Sequence, residues 1–146
     1  VHGLIIGDPK NKKDRYQAEL EKKIIDSEIQ EFVTFTGFRS DVKNIIAVSN
    51  IVYSLSSEPE SFGRTVIESI KLKTPVIGYD HGGVGEQLKV LFPEGLVSPK
   101  NMSELYKKSR IILKENPPIK ETNLFQLKDM LKKTMNVYIN LAHSKS

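Results

Sequence analysis

Ile51-Val52-Tyr53-Ser54-Leu55, the polar turn Ser56-Ser57-Glu58-Pro59-Glu60, an amphipathic run from Phe62 to Lys73, and Pro75-Val76-Ile77-Gly78-Tyr79 together decide the fold. Two short apolar runs bracket one stretch of helical periodicity, the pattern of a strand–helix–strand unit. Apolar residues fill both strands almost continuously, as they do when a parallel strand is covered on both faces.

The same alternation extends in both directions. Upstream, Leu4-Ile5-Ile6 reads as a buried strand ending in the turn Gly7-Asp8-Pro9. Tyr16, Leu20 and Ile24 recur at helical spacing between Arg15 and Ser27, and Glu19 and Lys23 are ordered for an i,i+4 pair. Val33-Thr34-Phe35-Thr36 is a second strand closed by Gly37, and Ser40 caps a short helix carrying Val42, Ile45 and Ile46. Downstream, the loop Asp80-His81-Gly82-Gly83 leads into a helical segment around Glu86 to Leu91, and Gly95-Leu96-Val97 is a last small strand. A helix marked by Leu105, Ser109 and Ile112 stops before Pro117-Pro118. Another runs from Thr122 to Ala142, with Leu124, Leu127, Leu131, Tyr138 and Leu141 on one stripe. The expected fold is one α/β domain, a Rossmann-like parallel sheet sandwiched by helices. In such sheets ligands sit beyond the carboxyl ends of the strands. The loops to watch are therefore Gly7–Asp14, Gly37–Ser40, Ser56–Ser61 and Asp80–Gly85.

Composition removes several function classes. The 146 residues are 38% hydrophobic and 27% charged, ordinary for a globular domain, with no apolar run of membrane-spanning length. No cysteine is present, which excludes disulfides and thiolate metal sites. The net charge of +4 is spread along the chain without the basic, aromatic-interleaved stripe of a nucleic-acid binder. No H-x-E, H-x-x-x-H or D-x-D spacing suggests a metal, and no G-x-S-x-G elbow suggests a hydrolase. Val1 is not methionine and the chain enters an apolar stretch at once, so the reading is of a piece cut from a longer protein.

The loop before the central helix concentrates the polar chemistry. Free N–H groups and the macrodipole at a helix N-terminus favour an anion, and Gly63 leaves room for close approach. Glu60 stands at the lip of that site and Glu68 lies eight positions on, in the helix. Carboxylates repel phosphate, so hydroxyls are their natural partners, and a sugar and a ribose flanking a diphosphate fit. The competing reading makes Glu60 a first-turn helix acid and Glu68 a solvated partner of Lys71.

Ser57-Glu58-Pro59-Glu60-Ser61-Phe62-Gly63-Arg64-Thr65-Val66-Ile67-Glu68-Ser69, Lys73-Thr74-Pro75-Val76-Ile77-Gly78 and Gly82-Gly83-Val84-Gly85-Glu86, in this order, resemble the group 1 (family 4) glycosyltransferases of the GT-B fold. The similarity covers roughly Leu4 to Pro99 and points to the C-terminal lobe, which binds the nucleotide sugar. The resemblance implies that Glu60, the first acid of the motif, is the catalytic residue that accepts hydrogen bonds from donor-sugar hydroxyls, while Phe62 and Gly63 present amides to that sugar. It implies that Thr65 and Val66 offer amides to the diphosphate and Glu68 binds the ribose. Arg39 falls where the family's backbone meets the base, and Gly82 and Gly83 let their loop lie close to sugar or phosphate. The family's arginine and lysine clamp for the diphosphate belongs to an earlier segment and is absent here, as is the acceptor-binding N-terminal lobe. Arg64 is grouped with the donor site, although a solvated surface arginine is the competing reading.

The implied activity is metal-independent, retaining transfer of a hexosyl group from a nucleoside diphosphate sugar, with no cofactor, to a glycan or lipid-linked acceptor. Lipopolysaccharide or another bacterial envelope polysaccharide is the expected product, made in the cytoplasm or at the inner face of the membrane. This chain alone should be inactive. Two alternatives stay open: a sugar-nucleotide epimerase of related fold, and a non-catalytic Rossmann-like ligand-binding domain. His81 reads either as a ligand contact or as a turn stabiliser, and His2 and His143 show no partner. Lys128, Lys132 and Lys133 lie outside the apolar stripe of the last helix. That helix reads as packed on its own domain or on the other lobe, with peripheral membrane contact as the alternative.

Overall fold

The computed structural model describes residues 1–7, 15–119 and 124–143. The turn residues Asp8 and Pro9, most of the loop Gly7–Asp14, and the expected helix start at Thr122 lie outside the described residues. The chain forms two compact units, Val1–Val42 and Lys43–Ser146.

In the first unit, β1 (Gly3–Ile6) and β2 (Val33–Gly37) pair in parallel, with Leu4 opposite Thr34 and Ile5 opposite Phe35. The helix α1 (Arg15–Asp26) connects them, turning Leu20 and Ile24 to its more sheltered side. Leu4, Ile5 and Ile6 are not the buried strand that their composition suggests, because all three stay exposed. The physical reason is that β1 pairs on one edge only, so its apolar side chains lack the full cover of a central strand.

The second unit contains the short helix α2 from its second residue on (α2 spans Val42–Val48) and a three-stranded parallel sheet. Its strands β3 (Val52–Ser54), β4 (Val76–Tyr79) and β5 (Leu96–Val97) lie in sequence order, with β4 central. Every residue of β4 is buried, which explains its unbroken apolar character. Crossing helices α3 (Arg64–Lys71) and α4 (Gly82–Leu91) place Val66, Ile67, Ile70, Val84, Leu88 and Leu91 in one core with Val76, Ile77 and Val97. Ser69, buried on the same face of α3, satisfies its hydroxyl on the Thr65 carbonyl at 2.8 Å. The helix α5 (Met102–Glu115) adds Ile112 to the core and is tied to β3 by a 2.9 Å hydrogen bond from the Tyr53 hydroxyl to Ser109.

The helices depart from their expected limits for local reasons. Gly63 adopts φ 65° and caps α3, so that helix starts at Arg64 rather than at Phe62. The glycines Gly82 to Gly85, which read as a loop, form the first turn of α4. Helix propensity disfavours them there, but close packing against the preceding loop requires them. The last helix, α6 (Leu127–His143), buries no residue, and Leu127, Leu131, Tyr138 and Leu141 of the apolar stripe are exposed. The stripe therefore adds nothing to the buried core of its own unit. The segment leading into α6 meets the loop ahead of α3 through an edge-to-face contact of Phe125 with Phe62 at 6.4 Å.

Candidate functional site

The carboxyl ends of β3 and β4 launch the two segments that meet at the site. After β3 the chain runs through Pro59 to Gly63 and enters α3; after β4 it turns at Asp80 and His81 and enters α4. The two segments dock backbone on backbone. Gly83 N–H donates to the Glu60 carbonyl at 2.7 Å. A Cβ on Gly83 would lie 2.7 Å from Phe62 Cα, and one on Gly82 would lie 2.6 Å from the Glu60 oxygen. These glycines thus have a packing duty toward the Pro59–Gly63 loop itself.

His81 precedes α4 in an extended conformation and donates Nε2–H to the Ser56 carbonyl at 3.1 Å, with its ring edge-on to Tyr79. This geometry is that of a turn stabiliser. His2 also has a partner, the Thr34 hydroxyl at 2.9 Å.

No side chain caps the N-terminus of α3, whose cap residue is Gly63. The first-turn amides of an α-helix have no intrahelical acceptor, so this end retains donor capacity for a ligand. One of them is already engaged: Val66 N–H donates to the Gly63 carbonyl at 3.1 Å, and its side chain is fully buried. Thr65 is half-buried beside it.

Phe62, Arg64 and Glu68 line one cavity of about 1330 Å³ along the exposed side of α3, closed across from them by Leu124, Phe125 and residues of α6. Glu68 pairs with Arg64, one turn back, at 3.5 Å; Arg64 is 84% exposed and Glu68 33%. Lys71, the partner suggested by spacing, lines the same cavity but the ion pair is with Arg64. Such an exposed pair contributes about 0.3–0.5 kcal/mol at most and is easily exchanged for a ligand contact. Glu60 does not line this cavity. It is half-buried at the seam with α4, and its carboxylate has no partner among the described residues.

Arg39 lies in the first unit, exposed, in a two-pronged pair with Asp41: Nε to Oδ1 at 2.7 Å and a terminal nitrogen to Oδ2 at 2.6 Å. The hydrogen bonds hold the Asp41 carboxyl below its usual range and raise the guanidinium further. Asp41 escaped the sequence reading, although an arginine two residues before an aspartate is the available signal. Gln87 escaped it as well. It is a polar residue on the buried stripe Val84, Leu88, Leu91, and its Nε2 donates to the Phe62 carbonyl. Among the described residues no group of three His, Asp or Glu side chains could hold a metal ion, and no helix is long and apolar enough to cross a membrane.

The family model for glycosyl transferases group 1 matches residues 1–128. Among solved structures, HepE of Anabaena, crystallised with UDP-glucose, is 27% identical, covers 80% of this chain and superposes with a TM-score of 0.73. A glycosyltransferase of Rickettsia africae (23% identity, 97% of this chain, TM-score 0.73) shares the fold. So does the sucrose-phosphate synthase of Thermosynechococcus elongatus (19%, 97%, TM-score 0.72). This chain spans 32%, 40% and 38% of those three structures, respectively. No curated protein matches it. The parallel strand–helix–strand units, the ordered loops at their carboxyl ends and a family match over most of the length agree: the chain belongs to the group 1 glycosyl transferases.

Proposed function

We propose that this chain is the donor-binding part of a retaining glycosyltransferase that uses a nucleoside diphosphate sugar. The observation that carries the reading is the uncapped start of α3, with Phe62 and Glu68 lining one cavity and the unpartnered Glu60 carboxylate beside the same helix start. The Anabaena relative was crystallised with UDP-glucose, with UDP and glucose, and with UDP.

In this reading the first-turn amides of α3 hold the diphosphate, reinforced by the helix dipole. Glu68 exchanges Arg64 for the ribose hydroxyls, and the freed guanidinium remains one turn away. Glu60 accepts hydrogen bonds from the donor sugar, with Gly63 N–H as a donor to the same sugar. The bond from the anomeric carbon to phosphate oxygen breaks while an acceptor hydroxyl attacks on the same face. The acceptor proton passes to the departing phosphate oxygen, so the reaction balances without a metal or an added base. The protein contributes by orientation and by donors aimed at the leaving diphosphate. A hydroxyl of a growing envelope glycan is the proposed acceptor.

Calorimetric titration of the full-length protein with UDP-, GDP- and ADP-sugars tests the donor. One nucleotide series should bind at micromolar to millimolar affinity, and indifference to all of them would sink the reading. Product analysis with and without a glycan acceptor then separates transfer from hydrolysis or epimerisation.

A further inference from the structure

Gln87 is 1% exposed in the middle of an apolar helix face. Its Nε2 donates to the Phe62 carbonyl, while its Oε1 is buried without a hydrogen-bond partner among the described residues. A buried polar atom left unpaired is destabilising. An apolar side chain of the same size would remove that defect but leave the Phe62 carbonyl without its donor, so what the amide adds is the fixed direction of that carbonyl.

The Phe62–Gly63 peptide is trans, so its carbonyl and N–H point in opposite directions. Anchoring the carbonyl on Gln87 therefore points the Gly63 N–H the opposite way, away from the Gln87 side chain. That N–H makes no hydrogen bond among the described residues. Gly63, at φ 65°, is also the residue type that tolerates either orientation of this peptide plane. A flipped plane would present a carbonyl oxygen in place of an N–H, repelling the oxygens of a ligand.

We infer that Gln87 is a positioning residue that locks the Phe62–Gly63 peptide with its N–H facing the donor sugar. This rests on the donor-binding reading above, but the lock itself exists in the free protein and can be read there.

The test uses Gln87→Met and Gln87→Glu in the full-length protein. Gln87→Met removes the donor and the orphan oxygen together. Its melting temperature should stay close to that of the wild type, the orphan oxygen removed offsetting the Phe62 carbonyl left without a donor, while kcat/KM for the sugar donor falls at least about tenfold. Affinity for the free nucleoside diphosphate should change less than about twofold. In the ligand-free protein the Gly63 amide resonance should show exchange broadening that the wild type lacks. Gln87→Glu keeps the shape but donates only when protonated. Its donor affinity relative to wild type should therefore recover as the pH is lowered through the carboxyl range. A Gln87→Met protein with wild-type turnover and an unbroadened Gly63 resonance would overturn the inference. Lowered stability with normal turnover in the folded molecules would overturn it too, reducing Gln87 to a packing residue. If the wild type binds no nucleotide sugar, the functional reading fails, and the Gly63 resonance alone decides the lock.

Discussion

The backbone N–H of Gly83 reaches the carbonyl oxygen of Glu60 at 2.7 Å, joining the first turn of α4 to the loop ahead of α3. The space between them holds no Cβ: one on Gly83 would meet Ser61 O and Phe62 Cα, both at 2.7 Å. Backbone atoms cannot swing aside as a side-chain tip can, so the loop itself must move. Gly83→Ala should cost about 1–3 kcal/mol, the usual scale of overpacking, and should weaken donor binding as well. Gly37 offers a control, since its Cβ would meet nothing within 4 Å and only its φ of 64° is strained. Gly37→Ala should lower the melting temperature without shifting the Glu60 loop. Equal donor affinity in both variants would refute a functional role for the seam.

Glu60 gives a sharper test. With no partner for its carboxylate among the described residues, Glu60→Gln should melt within a degree or two of the wild type. If the carboxylate holds sugar hydroxyls more tightly as the glycosidic bond breaks, turnover should fall at least about tenfold, or roughly 1.4 kcal/mol in the barrier. Affinity for free nucleoside diphosphate should be unchanged. Normal turnover in this variant removes Glu60 from the reaction.

The Arg64–Glu68 pair is exposed and spans one helical turn. Removing Glu68 should therefore leave the fold intact, with a stability change of about 0.5 kcal/mol or less. Glu68→Ala should weaken nucleoside diphosphate binding by about 1–3 kcal/mol if the carboxylate holds ribose hydroxyls. A 2′,3′-dideoxy nucleotide should already bind weakly and respond little to the substitution. Equal losses for both nucleotides would place the effect elsewhere.

Glu104 links stability to pH. Its Oε2 accepts from Ser98 N–H at 2.9 Å, just ahead of α5, while Glu104 N–H donates to the Oδ1 of the cap residue Asn101 at 3.0 Å. The Ser98 hydrogen bond, ahead of the charge on Lys108, lowers the carboxyl below the ordinary glutamate range. A depressed folded-state value means the contribution is complete above the unfolded value, near 4.3, and is lost as pH falls through the lower folded one. Between pH 5 and 3 the wild type should lose melting temperature more steeply than Glu104→Gln, whose amide oxygen still accepts from Ser98. Parallel pH curves for the two proteins would remove Glu104 from the acid response.

Periodicity made β3, β4 and α5 legible because their apolar residues enter one core. The loop order at the site was legible too, since each loop is bracketed by such elements. Two features were hidden for physical reasons. Gly82 and Gly83 argue against a helix by propensity, and only contact with the distant loop residues Pro59 to Phe62 reverses that argument. The apolarity of Leu4 to Ile6 signals a strand but cannot say how many neighbours cover it. Gln87 was legible in principle, as a polar residue at the i+3 position of the stripe that begins at Val84. Its role depends on which carbonyl lies opposite, and that information is tertiary.

The seam between the Pro59–Gly63 loop and α4 is built largely from main-chain atoms, which makes it indifferent to most side chains the loop carries. Glu58, Ser61 and Phe62 are exposed, and Glu60 joins the seam through its carbonyl. The loop therefore behaves as a cassette. A library varied at positions 58 and 60–62, with Gly82, Gly83 and Gln87 kept, should fold throughout while its members diverge in ligand choice. Retargeting such a protein to a different sugar then becomes a matter of exchanging a few side chains on an unchanged frame.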